Sequence, residues 1–177
     1  MIIGLSGYAR SGKDEVAKIL VEDYGFIRVA FADKIRELLY EMNPIVDIHY
    51  HLKPLVDAYG WDEVKRRAQV REMLQNVGVG ARLLFGDMFW VHQALASLSL
   101  DSNIVVTDVR FSNEADTLKL NDGQVWRIKR PGVEAVNNHV SEHELDGYKV
   151  DMILKNEGTL DDLRELVRRR MAFVNAY

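Results

Sequence analysis

The chain has 177 residues, with 23 Lys+Arg against 27 Asp+Glu, 47% apolar and 28% charged, values that fit one globular domain and exclude extended disorder. The absence of cysteine excludes disulfide scaffolds, thiolate zinc sites and cysteine nucleophiles, and a net charge of −4 argues against a general nucleic-acid binder, which would show a basic face. No apolar run approaches the ~20 residues of a membrane span, and the first residues lack a signal peptide's basic and long apolar stretches, so a cytoplasmic protein is expected.

Ile2 to Leu5 is a short apolar run ending at Ser6-Gly7, which predicts a buried strand. Lys13 to Asp23 predicts a helix with Val16, Ala17, Leu20 and Val21 on one face and Gly25 as its stop. Phe26 to Ala32 reads as a second strand, and Asp33 opens another helix with Ile35, Leu38 and Leu39 inward. Residues 44–100 lack strand signals and predict a helical insert punctuated by Pro44 and Pro54. Val70, Met73, Leu74 and Val77 mark one of its helices; Leu84, Met88, Val91, Leu95 and Leu98 mark another. Strand patterns return at Asn103–Thr107, at Gln124–Lys129 after a short helix and the Asn121-Asp122-Gly123 turn, and at Val150–Leu154. A last helix runs from about Leu160, with Thr159 as N-cap, Asp161 and Asp162 in its first turn and Arg168, Arg169 and Arg170 near its end. Short strands alternating with helices predict an α/β fold: a five-stranded parallel sheet with helices on both faces.

Gly7-Tyr8-Ala9-Arg10-Ser11-Gly12-Lys13 fits G-x-x-x-x-G-K, with a strand directly before it and a helix directly after. Glycines let the backbone curl so that successive N–H groups converge on phosphate oxygens, and the helix N-terminus adds partial positive charge. Gly7, Ala9, Arg10, Ser11, Gly12 and Lys13 are therefore candidate ATP-binding residues, with Lys13 and Arg10 as the catalytic cations. The next position is normally Ser or Thr, whose hydroxyl binds Mg²⁺; here it is Asp14, followed by Glu15. Asp14 either holds Mg²⁺, directly or through water, or only caps the helix. The chain has no N-K-x-D base-reading motif of switch GTPases and is small for a motor ATPase, which leaves a small-molecule kinase as the better fit.

Other candidates follow from position. Asp33 lies just past a predicted strand, at the sheet edge that carries ligands in doubly wound folds. It either orients metal waters, accepts from a sugar hydroxyl or caps the following helix; Lys34 and Arg36 beside it are phosphate contacts or solvated helix charges. Asp108 follows Ile104-Val105-Val106-Thr107, the strand-then-aspartate arrangement of a metal or water partner beside a phosphate loop, with Arg110 two residues on; a buried structural Asp108–Arg110 pair is the alternative. Asn113 and Glu114 begin the next helix as functional groups or as its cap. Tyr8, Phe31 and Trp90 are candidates for stacking on a base, or core residues. Arg127, Lys129 and Arg130 precede Pro131-Gly132 and a polar stretch, so residues of about 130–147 read as a lid-like loop with Arg130 as its catalytic cation.

Several segments together resemble the phage-type deoxynucleoside monophosphate kinases. These are Arg10-Ser11-Gly12-Lys13-Asp14, Phe31-Ala32-Asp33-Lys34-Ile35-Arg36-Glu37, and Arg71-Glu72-Met73-Leu74-Gln75 with Gly78 and Arg82. Trp90, Thr107-Asp108-Val109-Arg110-Phe111 with Asn113-Glu114, and Ser141-Glu142 continue the series. Animal-type phosphomevalonate kinases share the Ser-Gly-Lys-Asp portion. The resemblance implies a P-loop kinase fold over 1–177, ATP and Mg²⁺ as cofactors, and transfer of the γ-phosphoryl to a deoxynucleoside monophosphate. It implies an insert of about 44–100 that binds the monophosphate, where Arg71 and Arg82 either clamp its phosphate or are surface arginines, and a phosphate role for Arg110; Gln75 is a candidate for reading a base edge. It also sets Asn156, after the last strand, against the adenine, where an ordinary helix-entry turn is the alternative. Such a protein, if phage-encoded, would work in the host cytoplasm as a monomer or homodimer, without nucleic-acid or membrane partners.

Competing readings are a kinase for phosphomevalonate-like or dephospho-coenzyme A-like acceptors and a nucleotide-binding module without turnover. His139-Val140-Ser141-Glu142-His143 also matches the H-x-x-E-H zinc pattern, although few residues remain for a third ligand. His49 and His51 read as solvated.

Overall fold

The computed structural model of the protein describes residues 1–96, 102–135 and 143–174. Among them, strands β1 (Ile2–Ser6), β2 (Ile27–Val29), β5 (Ile104–Val106), β6 (Gln124–Lys129) and β7 (Met152–Lys155) form one sheet. Its order is β2-β5-β1-β6-β7, and every pairing is parallel. The chain leaves β1 in one direction, inserts β5 beside it, then crosses to β6 on the other side, so β1 stands at the point where the strand order reverses. Ligand sites of doubly wound sheets lie outside the carboxyl ends of strands at that point. Residues compact into two units, Met1–Ala30 with Leu98–Tyr177, and Phe31–Ser97.

In the first unit, helices α1 (Lys13–Tyr24) and α7 (Leu160–Val174) pack together. Val16, Ala17, Ile19 and Leu20 of α1 and Leu163, Val167 and Met171 of α7 meet Ile3, Leu5, Val105, Trp126, Ile128 and Leu154 in one buried cluster. Helix α6 (Ser112–Leu120) packs on β1 and β6. Gly4 makes room for it: a Cβ there would strike the Leu118 side chain and come within 2.9 Å of Val109. A sheet covered on both faces needs apolar residues throughout, and β5 is buried at all three positions.

The second unit begins with α2 (Phe31–Met42), followed by the hairpin β3 (Ile45–Asp47) and β4 (Tyr50–His51). It continues with α3 (Leu52–Val64), α4 (Ala68–Phe85) and α5 (Phe89–Leu95). Leu39, Val46, Leu52, Leu55, Val64 and Val70 form its core, backed by Met73, Leu74 and Val77.

Several sequence expectations change. Phe31 and Ala32 are the first turn of α2, not the end of a strand; β2 stops at Val29, and Asp33 in that first turn complements the helix dipole. Val21 and Leu38, expected inward, are exposed. The segment expected to be free of strands holds the β3–β4 hairpin, whose turn is closed by the His49 N–H donating to the Asp47 carboxylate at 3.1 Å. The pattern running from Leu84 to Leu98 is two helices parted at Gly86 (φ 96°), and Leu84 is exposed; Leu98 lies outside the described residues. β7 starts at Met152, because the Asp151 carboxylate accepts the Val125 N–H at 2.8 Å. Thr159 caps α7 as expected: its hydroxyl accepts the Asp162 N–H at 3.2 Å, and the Asp162 carboxylate accepts the Thr159 N–H at 2.8 Å. Arg168–Arg170 lie before the last turn of α7, where Arg168 and Arg169 approach Asp23 and Glu165.

Candidate active site

The loop between β1 and α1 is shaped by backbone conformations that only glycine adopts without strain. Gly7 has φ 130° and Gly12 φ 106°. A Cβ on Gly7 would meet the Ile128 carbonyl oxygen, and one on Gly12 would lie 2.5 Å from the Asn156 amide nitrogen. Arg10 takes a left-handed conformation (φ 66°), and it and Ala9 are exposed. The Ser11 N–H donates to the Tyr8 carbonyl at 3.2 Å and closes the curl. Lys13 Nζ donates to the Gly7 and Tyr8 carbonyls at 2.6 and 2.8 Å. The Ser11 hydroxyl is buried and has no hydrogen-bond partner among the described residues. A buried hydroxyl without a partner, a lysine on the loop's own carbonyls and the N-terminus of a twelve-residue helix together suit a phosphate group. Asp14 and Glu15 are exposed in the first turn of that helix.

Asn156, expected against adenine, braces this loop. Its side-chain amide donates to the Ser11 carbonyl at 2.9 Å, and its backbone N–H donates to the Lys129 carbonyl at 2.7 Å. The neighbouring strand β5 ends beside the loop. The Val109 N–H donates to the Leu5 carbonyl at 3.3 Å, which sets half-buried Asp108 and exposed Arg110 at the same end of the sheet. Glu114, only 5% exposed, accepts the Arg110 and Phe111 N–H groups at 2.8 and 3.1 Å, so it caps α6 from inside.

Arg127 is committed elsewhere: its guanidinium donates to the carbonyls of Leu145, Asp146 and Tyr148. Arg130 is exposed at the start of a turn through Pro131 and Gly132 (φ 70°), closed by the Val133 N–H on the Arg130 carbonyl at 3.2 Å. His139, Val140, Ser141 and Glu142 of the zinc-like pattern lie outside the described residues, as do residues 136–138 of the lid-like loop. His143 is described, and its Nδ1 approaches the Asp146 carboxylate at 3.0 Å. Among the described residues no group of three or more His, Cys, Asp or Glu is arranged to hold a metal.

In the second unit, Arg71, Gln75, Gly78 and Arg82 recur at i, i+4, i+7 and i+11 along α4, which puts them on one stripe. Arg71 and Gln75 are exposed; Arg82 Nε donates to the Asp87 carbonyl at 3.3 Å. Trp90 is 5% exposed, donates its indole N–H to the Gly78 carbonyl at 2.9 Å and packs edge-on to Phe89, so most of its ring is engaged within the unit. On α2, Asp33 pairs with Arg36 at 3.0 Å and Lys34 with Glu37 at 2.6 Å, each three residues apart.

A family model described as deoxynucleotide monophosphate kinase matches residues 59–167. A protein of Acanthamoeba polyphaga mimivirus named as a deoxynucleotide monophosphate kinase is 31% identical over 184 residues, covering 92% of this chain and 91% of its own. The chain belongs to the deoxynucleotide monophosphate kinase family. The deoxynucleotide monophosphate kinase of Escherichia phage RB69 is 28% identical over 108 residues, covering 56% of this chain and 43% of its own. Among solved structures, dephospho-CoA kinase from Campylobacter jejuni superposes with a TM-score of 0.50 at 15% identity, covering 98% of this chain and 96% of that one. That likeness concerns the fold, which is the P-loop kinase fold.

Sequence reasoning reached the family through the loop and the scattered short segments, which membership bears out. It missed the bracing role of Asn156 and the partner of the Tyr8 hydroxyl, which is Asp146. Neither contact has a sequence signal, because each joins residues more than 130 positions apart.

Proposed function

We infer that the chain phosphorylates deoxynucleoside monophosphates with ATP. An oxygen of the acceptor's phosphate attacks the γ-phosphorus in line; the bond from that phosphorus to the β–γ bridging oxygen breaks, and ADP and a deoxynucleoside diphosphate leave. The observation that carries this reading is the glycine-shaped loop, with its orphan Ser11 hydroxyl, at the end of the central strand of a chain in this family. Phosphoryl transfer needs little covalent chemistry from the protein; it needs two polyanions oriented and their developing charge neutralised.

On this reading the backbone from Gly7 to Gly12, with Ala9, Arg10 and Ser11, receives the β- and γ-phosphates, and Lys13 exchanges its carbonyl partners for phosphate oxygens. Arg10, Arg110 and Arg130 are the further cations of the transfer, and Asn156 keeps the loop in its phosphate-ready curl. Asp14 and Asp108 would hold Mg²⁺, with Glu15 beside them. An exposed carboxylate after the loop lysine and a half-buried one at the end of β5 fit an ion that takes one or two carboxylates, with phosphates and waters completing its shell. Bound there, Mg²⁺ would neutralise charge on the triphosphate.

The acceptor falls to the helical insert of about 44–100 together with α2 just before it, residues that for the most part belong to the unit Phe31–Ser97. Arg71 and Arg82 clamp its phosphate, since a guanidinium meets a phosphate through two parallel N–H bonds. Gln75, on the same stripe, reads the base; Asp33, Lys34 and Arg36 complete the acceptor set, and Trp90 shapes it by packing. The residues of about 130–147 act as a lid carrying Arg130. No helix among the described residues is long and apolar enough to cross a membrane; we place the enzyme in a cytoplasm, as a monomer or homodimer. The test is a panel of deoxynucleoside monophosphates with ATP and Mg²⁺, scored for diphosphate. At least one is phosphorylated; ATP binding without turnover on any of them would make the chain a nucleotide-binding module instead.

A further inference from the structure

The residue at the second position of the phosphate loop is tied to Asp146, near the end of the segment of about 130–147. Tyr8 Oη donates to the Asp146 carboxylate and lies 2.9 Å from both of its oxygens. The same carboxylate accepts a hydrogen bond from His143, whose ring stands edge-on to Tyr8 at 6.3 Å between centroids. Asp146 is itself fixed: Arg127 gathers the carbonyls of Leu145, Asp146 and Tyr148 with one guanidinium. Arg127 sits on β6 directly opposite Ser6 of β1, the residue before the loop begins.

These contacts close a circuit. It runs from Ser6 along the chain to Tyr8, through the phenol to Asp146, through backbone carbonyls to Arg127, and across the sheet ladder back to Ser6. Tyr8 is also the residue on which the loop turns. Its carbonyl accepts both Lys13 Nζ and the Ser11 N–H, so its position sets where the lysine and the curl lie.

We propose that Asp146 is a positioning residue for ATP, acting through Tyr8 to hold the phosphate loop in its anion-binding shape. The proposal rests on the donor site assigned above. A loop whose N–H groups must converge on one triphosphate binds it more tightly when the converged shape is already populated, because the ordering cost is met before binding. The two hydrogen-bonded donors also keep the carboxylate ionised. Burial pushes the Asp146 carboxyl up, but hydrogen bonds from His143 and Tyr8 and the charges of His143 and Arg127 outweigh it and hold it below the usual range. The Tyr8 phenol is raised, chiefly by its hydrogen bond to Asp146, so it stays a donor at neutral pH.

The experiment compares wild type, Tyr8→Phe, Asp146→Asn, Asp146→Ala and the Tyr8→Phe/Asp146→Ala double variant. It reads ATP affinity by calorimetry without acceptor, KM for ATP, KM for the monophosphate, and thermal midpoint. Loss of one hydrogen bond to a charged partner at a partly exposed site weakens ATP binding by about five- to tenfold. Tyr8→Phe and Asp146→Ala each show that loss in ATP affinity and in KM for ATP, with KM for the monophosphate and the thermal midpoint unchanged. The double variant is no worse than the worse single one, as expected of two groups that share one contact. Asp146→Asn, which keeps an acceptor oxygen for the phenol, recovers most of the affinity. Wild-type ATP affinity in Tyr8→Phe would overturn the proposal, and so would equal rises in both KM values that track a lowered thermal midpoint. Wild type that binds ATP but phosphorylates no monophosphate would overturn the functional reading alone, since the calorimetric arm still decides the tether.

Discussion

The two compact units offer different materials for the phosphate sites proposed on them. In the unit formed by Met1–Ala30 and Leu98–Tyr177, the candidate site is mostly main chain: a curl set by Gly7 and Gly12, braced by Asn156 and tethered through Tyr8. In Phe31–Ser97, the candidates are long side chains on one stripe of α4 and on the first turns of α2. Arg71 and Gln75 are exposed there, and Leu83, Leu84 and Phe85 follow them, 81%, 78% and 68% exposed. A backbone site is already ordered, because the sheet core beneath it fixes its ends. A side-chain site loses rotamer freedom when it binds, but its residues change without disturbing a core. On the proposed assignment, the donor site should be intolerant of changes in shape and the acceptor site sensitive to changes in side-chain chemistry.

The largest expected effect is at Lys13, whose ammonium already lies on the carbonyls of the loop itself. Lys13→Met lowers kcat by about 10²–10³-fold, the usual cost of removing one transition-state charge partner. ADP release with a saturating acceptor measures it, and near-normal turnover would remove Lys13 from the chemistry.

A pair of glycines separates the two kinds of site next. Gly12→Ala deletes no functional group, yet φ 106° and the nearby Asn156 amide oppose a methyl. Backbone strain of about 1–3 kcal/mol should appear as a loss of ATP affinity of about five- to 150-fold. Gly80→Ala lies in α4 with nothing within 4 Å of the new Cβ. It should stabilise the protein by about 0.4–1 kcal/mol through the unfolded chain, with ATP affinity unchanged. Denaturant melts and calorimetry on both variants decide the contrast; equal responses would erase it.

Arg71→Lys should raise KM for the monophosphate by about tenfold, because a lysine cannot make the paired N–H bonds of a guanidinium. The affinity for ATP stays as in wild type. A shift in ATP affinity instead would take Arg71 out of the acceptor set.

The smallest effect lies away from both sites. Burial, then a 2.6 Å hydrogen bond to Asp116 and the nearby carboxylate charges, push the Tyr148 phenol up to about 12. A tyrosine raised in the folded state contributes stability that is fully present below its ordinary value near 10 and is lost as pH rises through about 12. In an alkaline absorbance titration of the seven tyrosines, the latest step should belong to Tyr148, and Tyr148→Phe should abolish that step.

Much of the fold was legible because it is written in local patterns. β1, α1, β5, β6 and α7 appear close to where apolar periodicity and turn residues set them. The phosphate loop was legible for the same reason: Gly7 and Gly12 permit conformations that other residues resist, and a strand and a helix flank them. The short β3–β4 hairpin, with strands of three and two residues, is below the length at which alternation can be seen. Phe31-Ala32 was misread because an apolar pair suits a strand end and a helix start equally, and only packing chooses between them.

By itself, the sequence determined the phosphate loop and the alternation of strands and helices, since both follow from the conformational limits and spacing of neighbouring residues. Only the tertiary structure decided that β5 lies between β1 and β2, that Trp90 spends its N–H on Gly78, that Asn156 braces Ser11 and that Asp146 holds Tyr8. Each of these joins groups by distance in space, and a linear pattern carries no record of which remote residue a folded chain brings within hydrogen-bonding reach.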